Sequence, residues 1–234
     1  MNPILESPPV ADAPRSPPIA DVSGPVGHRR RQLYLLPIIA AATMAVGRIL
    51  SAQLVHEPSL SVMRPDDPEH PTRKWPATPP RPMPTFSSND RSRWATVRAL
   101  VDEGTWAIGR RDRQTGKDSG IVFEDGWQSV DKMLNPATLE FYSTKPPLLT
   151  FLVAGEYALL KKLFGWSLDT DQCFTIVRVC LLTFNVLPFV VYLWLLARLA
   201  ECFGATDWGR IFVVAAACFA TLLTPFLITL NNHT

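Results

Sequence analysis

The chain has 234 residues, a formal net charge of +2 and 47% hydrophobic residues. So small a charge, with no basic stripe carrying interleaved aromatics, argues against nucleic acid as a partner. Cysteines at 173, 180, 202 and 218 form no CxxC pair and the histidines (His28, His56, His70, His233) are scattered, which argues against a zinc ribbon or a disulfide framework.

These averages cover three unlike regions. Most of the 22 prolines precede residue 85, whereas most long apolar runs follow residue 145. Residues 1–27, rich in Pro, Ala and Ser, cannot bury enough apolar surface to offset chain entropy, so a disordered Pro-rich tail over 1–32 is predicted. Residues 33–55 then read as a transmembrane helix, since about 20 apolar residues cross the hydrocarbon core. Arg29, Arg30 and Arg31 precede it, which places the N-terminus in the cytoplasm.

Residues 56–165 form a long outer loop. Its proline-rich first part is expected to be extended. "SSNDRSRWATVRALVDEG" follows, with Trp94, Val97 and Val101 at helical spacing and Arg91, Arg98 and Asp102 opposite. This predicts an amphipathic helix over 91–103, lying on the membrane surface and stopped by Gly104. "TWAIGRR" and "GIVFEDGW" are candidates for a hairpin. The helix expected over 146–164 starts at Pro146 and Pro147, and it carries Glu156, Lys161 and Lys162 in a short apolar run. A mid-helix carboxylate facing lipid is costly, so an interfacial or re-entrant helix is preferred to a span. Residues 173–200 and 210–230 are long enough to cross. Arg178 near the start of the first reads as a snorkelling residue or a partner for Glu156. The fold class is therefore all-α integral membrane: about three transmembrane helices plus amphipathic interfacial helices in a long first outer loop.

Two constellations on that loop carry chemistry. One comprises Asn89, Asp90, Arg91 and Arg93; the other comprises Tyr142 and Lys145, at the threshold of the 146–164 helix. A lipid phosphate lies at this depth. Arg meets it with a planar fork of donors and Lys with a point charge, and a nearby Asp can act as a general base. Each has a plainer reading: Asp90 as a helix-end charge, and Lys145 as an interfacial anchor with its stem along the apolar surface. Trp94, Arg91 and His233 are further candidates for lining the site, and "NHT" at 232–234 matches a glycosylation sequon.

The order of an outer-face Asp followed by "RSRWA", a short helix ending in "GTW", and an aromatic three residues before "KPPL" resembles the N-terminal part of C-type (GT-C) membrane glycosyltransferases. The similarity is to lipid A aminoarabinose transferases and protein-mannosyltransferase-like enzymes. It is carried by "DRSRWATVRALVDEGTWAI" (90–108), "FYSTKPPLLTFLVAGEYALLKKLFG" (141–165) and the later span. It covers residues 33–234 as a first portion only, so a chain truncated after 234 is expected. The resemblance implies sugar transfer from a polyprenyl-phosphate donor at the outer face of a bacterial inner membrane. It makes Asp90 the catalytic aspartate and places Arg93, Tyr142 and Lys145 at the donor phosphate. Where the family commonly has acidic residues, Arg91 and Thr144 stand here, so the sequence gives no support for a divalent metal and assigns no cofactor. The rival class is a non-enzymatic membrane anchor, or a subunit of a larger membrane complex that is inactive alone.

Overall fold

A computed structural model describes residues 25–52, 83–85, 87–124 and 126–230, with side chains from Arg29 onward. The expected tail before residue 25, the proline-rich stretch 53–82, and His233 with its sequon lie outside these residues.

Three helices are long and apolar enough to cross a membrane: Arg29–Ser51, Cys173–Phe203 and Asp207–Phe226. The first belongs to α1 (Pro25–Ser51), which starts well before the expected boundary at 33. Residues 25–32, expected in the disordered tail, are helical. Tyr34, Ile38, Ala41, Ala45 and Ile49 recur at helical spacing and are buried, while Leu33, Leu36, Ile39 and Met44 on the other side are exposed. A helix apolar all round has no water-compatible face, which is the pattern of a lipid-facing span.

The second long helix is built from α4 (Cys173–Leu181) and α5 (Leu187–Phe203), joined by a π-type turn at Leu182–Val186. The turn ends two residues before Pro188, whose missing N–H and ring volume a regular helix cannot absorb. The third comprises α6 (Asp207–Phe219) and a short α7 (Leu223–Phe226). Helices α1, α5 and α6 pack on one another.

Polar side chains pin both ends of the bundle. At one end Arg30 donates to Glu201 at 3.0 and 3.1 Å and to Asp207 at 2.8 Å, and Tyr34 also donates to Glu201. These bonds hold the start of α1 against the α5–α6 turn, which is why the helix extends back through the arginines. At the other end Arg178 donates to the carbonyls of Leu50 at 3.0 Å and Ala52 at 2.9 Å. A guanidinium there satisfies carbonyls that a helix C-terminus leaves orphaned. Arg178 also lies 5.5 Å from the Phe174 ring, and Glu156 accepts from the Thr183 hydroxyl, at 2.9 Å.

The segment between the first two spans gathers at the Arg178 end. Helix α2 (Ser88–Arg98) starts at a Ser87 cap and runs through a π-type turn, Ala99–Glu103, to Gly104 in the left-handed conformation. A four-stranded antiparallel sheet follows, in the order β2-β1-β4-β3: β1 Gly109–Arg111, β2 Asp118–Ser119, β3 Lys132–Leu134 and β4 Glu140–Ser143. The all-α expectation is corrected by this sheet. The expected pairing of "TWAIGRR" with "GIVFEDGW" is corrected too: β1 pairs instead with β2 in the connecting stretch, and "IVF" becomes a 3-10 turn, Ile121–Phe123. Gly120 allows the return: its φ is 106°, and a Cβ there would stand 2.6 Å from the Gly109 Cα. Helix α3 (Pro147–Phe164) comes next and packs on α2 and α4.

The amphipathic surface helix expected over 91–103 is also corrected. Every residue of α2 from Asp90 to Arg98 is buried. Helix α3, β4 and the 3-10 turn all pack against it, so the face expected to meet solvent meets protein. Arg98 shows how a buried cation is tolerated there. It pairs with Glu124 at 2.5 Å, Asp169 at 3.3 Å and Asp102 at 3.8 Å, and lies 5.2 Å from the Trp127 ring.

Candidate functional site at one end of the helix bundle

The site is built on the first turn of α2. Ser87 is the N-cap, accepting from the Asp90 backbone N–H at 3.2 Å, so the carboxylate of Asp90 is not needed for capping. Its Oδ1 instead accepts from the backbone N–H of Leu230, 3.0 Å away and just past α7. Arg93, one helical turn on, donates through Nη1 to the Leu230 carbonyl at 3.0 Å and to Asn89 Oδ1 at 2.6 Å. Two side chains thus grip both backbone groups of one residue at the end of the third span. Asp90 is 2% exposed and Arg93 1%. Asn185, in the π-type turn, supports this segment by donating to the carbonyls of Leu227 and Thr229, each at 2.9 Å.

The second half of the site comes from the sheet. Lys145, between β4 and α3, places Nζ 2.8 Å from Asp131 Oδ1. Asp131, just before β3, is docked on α2: Ser92 donates to its backbone carbonyl at 2.6 Å and meets the Ser143 hydroxyl at 2.7 Å. The Val130 N–H donates to Ser88 Oγ at 2.9 Å, and Ser129 donates to the Ser88 carbonyl at 2.7 Å. Serines fit this seam because their short side chains let a strand and a helix approach while satisfying buried polar groups.

Arg93 links the halves. Burial pushes its guanidinium pKa down, and the negative charges of Asp90 and Asp131 push it back up. Burial raises the Asp131 pKa, but hydrogen bonds from Lys145 and Ser88 and the charges of Lys145 and Arg93 outweigh it, holding that carboxyl below its usual range. The result is an alternation of carboxylate, guanidinium, carboxylate and ammonium along one seam.

The other sequence candidates lie elsewhere. Ser143 turns toward α2, so its strand neighbour Tyr142 turns the other way and donates to Glu140 Oε2 at 2.5 Å. Hydrogen bonding to Glu140, with burial, raises its phenol pKa. Trp94 is 0% exposed and is a core residue. Arg91 is 5% exposed, and burial lowers its pKa. Asn89 is drawn in through Arg93. The structure therefore brings together Asp90, Arg93 and Lys145 and leaves Tyr142 on the opposite face of β4.

Asp131 and the Leu230 backbone escaped sequence reasoning. Asp131 sits in no motif; the one available signal is that a lysine held at a polar seam requires an opposite charge. Leu230 acts only through backbone atoms, which no residue pattern encodes. Thr144 is exposed, and no group of His, Cys, Asp or Glu that could hold a metal occurs among the described residues. No protein-family model, curated protein or solved structure matches the chain.

Proposed function

We propose that this chain forms the donor-binding part of a membrane glycosyltransferase that takes a sugar from a polyprenyl phosphate at the outer face of the membrane. The observation that carries the reading is the convergence of Asp90, Arg93 and Lys145, distant in sequence, on one seam at one end of three apolar helices. In this reading an acceptor hydroxyl attacks the anomeric carbon, the bond to the polyprenyl phosphate breaks, and Asp90 takes the hydroxyl proton. Lys145 and Arg93 offset the charge gathering on the departing phosphate, and such help counts most when it is stronger in the transition state than in the ground state.

Two observations support the layout. Arg29, Arg30, Arg31, Arg198 and Arg210 all lie at the Glu201 end of the bundle, which favours that end as cytoplasmic and the Asp90–Lys145 seam as external. In a bacterium this is the inner membrane. Helix α3 is tied to the polar segment near both ends, through Lys145 to Asp131 and through Lys161 to Asp102 at 2.7 Å. Its Leu148, Phe151, Leu159 and Leu163 are exposed, as suits a helix lying in the interface.

A second reading, a non-enzymatic anchor or subunit, is favoured by the grip on Leu230 and by the carboxylate already on Lys145. Binding of decaprenyl phosphate and of decaprenol to the chain in detergent micelles separates the two. The donor reading expects saturable binding of the phosphate alone, weakened at least about tenfold by Lys145→Ala, the loss of one charged contact. Equal binding of the alcohol, or indifference to Lys145→Ala, refutes it.

A further inference from the structure

At the opposite end of the bundle from the Asp90–Lys145 seam, α1 and α5 line a groove of about 340 Å³. Its walls are Leu35, Ile38, Trp194 and Ala197, and Arg31 and Arg198 stand among its lining residues. The two arginines set its chemistry. Both are exposed, and among the described residues neither makes an ion pair. Arg198 instead lies 5.2 Å from the Trp194 ring, a stacking that holds its guanidinium over the groove wall. The acid that borders the groove, Glu201, is already held by Arg30 and Tyr34, and Asp207 is shared by Arg30 and Arg210. Arginine therefore outnumbers carboxylate at this end, and the excess charge lies at the groove.

We propose that this groove is a binding site for an anionic phospholipid, with one acyl chain along Leu35, Ile38 and Trp194 and the phosphate between Arg31 and Arg198. Charge complementarity selects that occupant. A helix of a partner or of a second copy would have to bring its own carboxylates to two separate guanidinium groups, whereas one phosphate diester offers acceptor oxygens to both forks at once. Trp194 suits the boundary, since an indole with one apolar and one polar edge settles at headgroup depth. The site does not depend on the glycosyltransferase reading; an anchor or subunit would bind the same lipid.

The test uses the fluorescence of Trp194, taken as the difference between the unaltered chain and Trp194→Phe. The chain is reconstituted in phosphatidylcholine vesicles carrying a minor fraction of phosphatidylglycerol with brominated acyl chains, and separately with the bromine on the phosphatidylcholine. Quenching by the brominated phosphatidylglycerol should exceed its share of the bilayer, each arginine near the headgroup contributing about fivefold in local enrichment. Arg31→Gln with Arg198→Gln should return quenching to the bulk share, while Arg31→Lys with Arg198→Lys keeps most of the excess. Both positions are exposed, so unchanged thermal unfolding of the double Gln variant serves as the control for folding. Quenching in proportion to bulk composition, or an excess that survives the Gln pair, overturns the proposal. So does a Trp194 insensitive to both brominated lipids, which would mean that protein covers the groove.

Discussion

Asp90 is the residue on which the catalytic and structural readings diverge, and two substitutions separate them. In Asp90→Ala the buried N–H of Leu230 loses its acceptor, which costs about 1–3 kcal/mol. Arg93, 1% exposed, also loses a carboxylate that offsets its charge. Together these predict a loss of about 3 kcal/mol. Asp90→Asn keeps an amide oxygen at the position of Oδ1, 3.0 Å from the Leu230 nitrogen, so that hydrogen bond survives while the charge is lost. Asp131 still faces Arg93, so this variant should lose about 1 kcal/mol. Stability is read by titrating SDS into mixed micelles and following tryptophan fluorescence. If Asp90 is the general base, Asp90→Asn should abolish sugar transfer by a protein that remains folded. Equal destabilisation by Asn and Ala would refute the hydrogen-bond argument, and an unchanged transfer rate in Asp90→Asn would refute the catalytic one.

The Lys145–Asp131 pair gives a pH prediction. Asp131 is held below its usual range in the folded chain, so its contribution is complete above the unfolded value of about 4 and disappears as pH falls through the lower folded value. Unfolding midpoints between pH 7 and pH 2 should therefore show an acid-side decline that is shallower in Asp131→Asn. The side chains of Lys145 and Asp131 are 19% and 26% exposed, so a double-mutant cycle should give a coupling of about 1–2 kcal/mol; additive single variants would mean that the pair contributes nothing. Asp131→Asn also removes the carboxylate competing for Lys145, so the donor reading expects tighter binding of decaprenyl phosphate. Unchanged or weaker binding would favour the structural reading. Gly120→Ala should cost about 2 kcal/mol or more, from a strained φ and a backbone collision, whereas Gly116→Ala, at φ 68° with open space around it, should cost about 1. Comparable losses in thermal unfolding would contradict the packing at Gly109.

Much of the fold was legible because a membrane span is specified by composition over about 20 residues, a signal that needs no tertiary context. The three long helices and the helix after "KPP" follow from it. What the sequence hid is set by who covers whom. Trp94, Val97 and Arg98 have the spacing of a surface helix, and nothing in that spacing announces that α3, β4 and a 3-10 turn close over the polar side. The sheet is only partly legible for a similar reason. "TWAIGRR" marks the place of β1, but β2, β3 and β4, of two to four residues each, hold too little periodicity to register, and the sheet exists because Gly120 lets the chain pass against Gly109.

The same distinction explains the candidate site. Asp90, Arg93 and Lys145 stand out in the sequence because charged residues beside apolar runs are conspicuous, but their partners are ordinary: a leucine's backbone, an aspartate in no motif and a seam of serines. Tyr142 illustrates the limit from the other side. Its distance of three residues from Lys145 looked like proximity, yet strand alternation sends it to the opposite face of β4, against Glu140. A phosphate reaching this seam would therefore meet Lys145 and Arg93 from the α2 side and would have to share Lys145 with Asp131. Any donor lipid bound here competes with an internal salt bridge, and the free energy of that exchange, more than the number of cations present, sets its affinity.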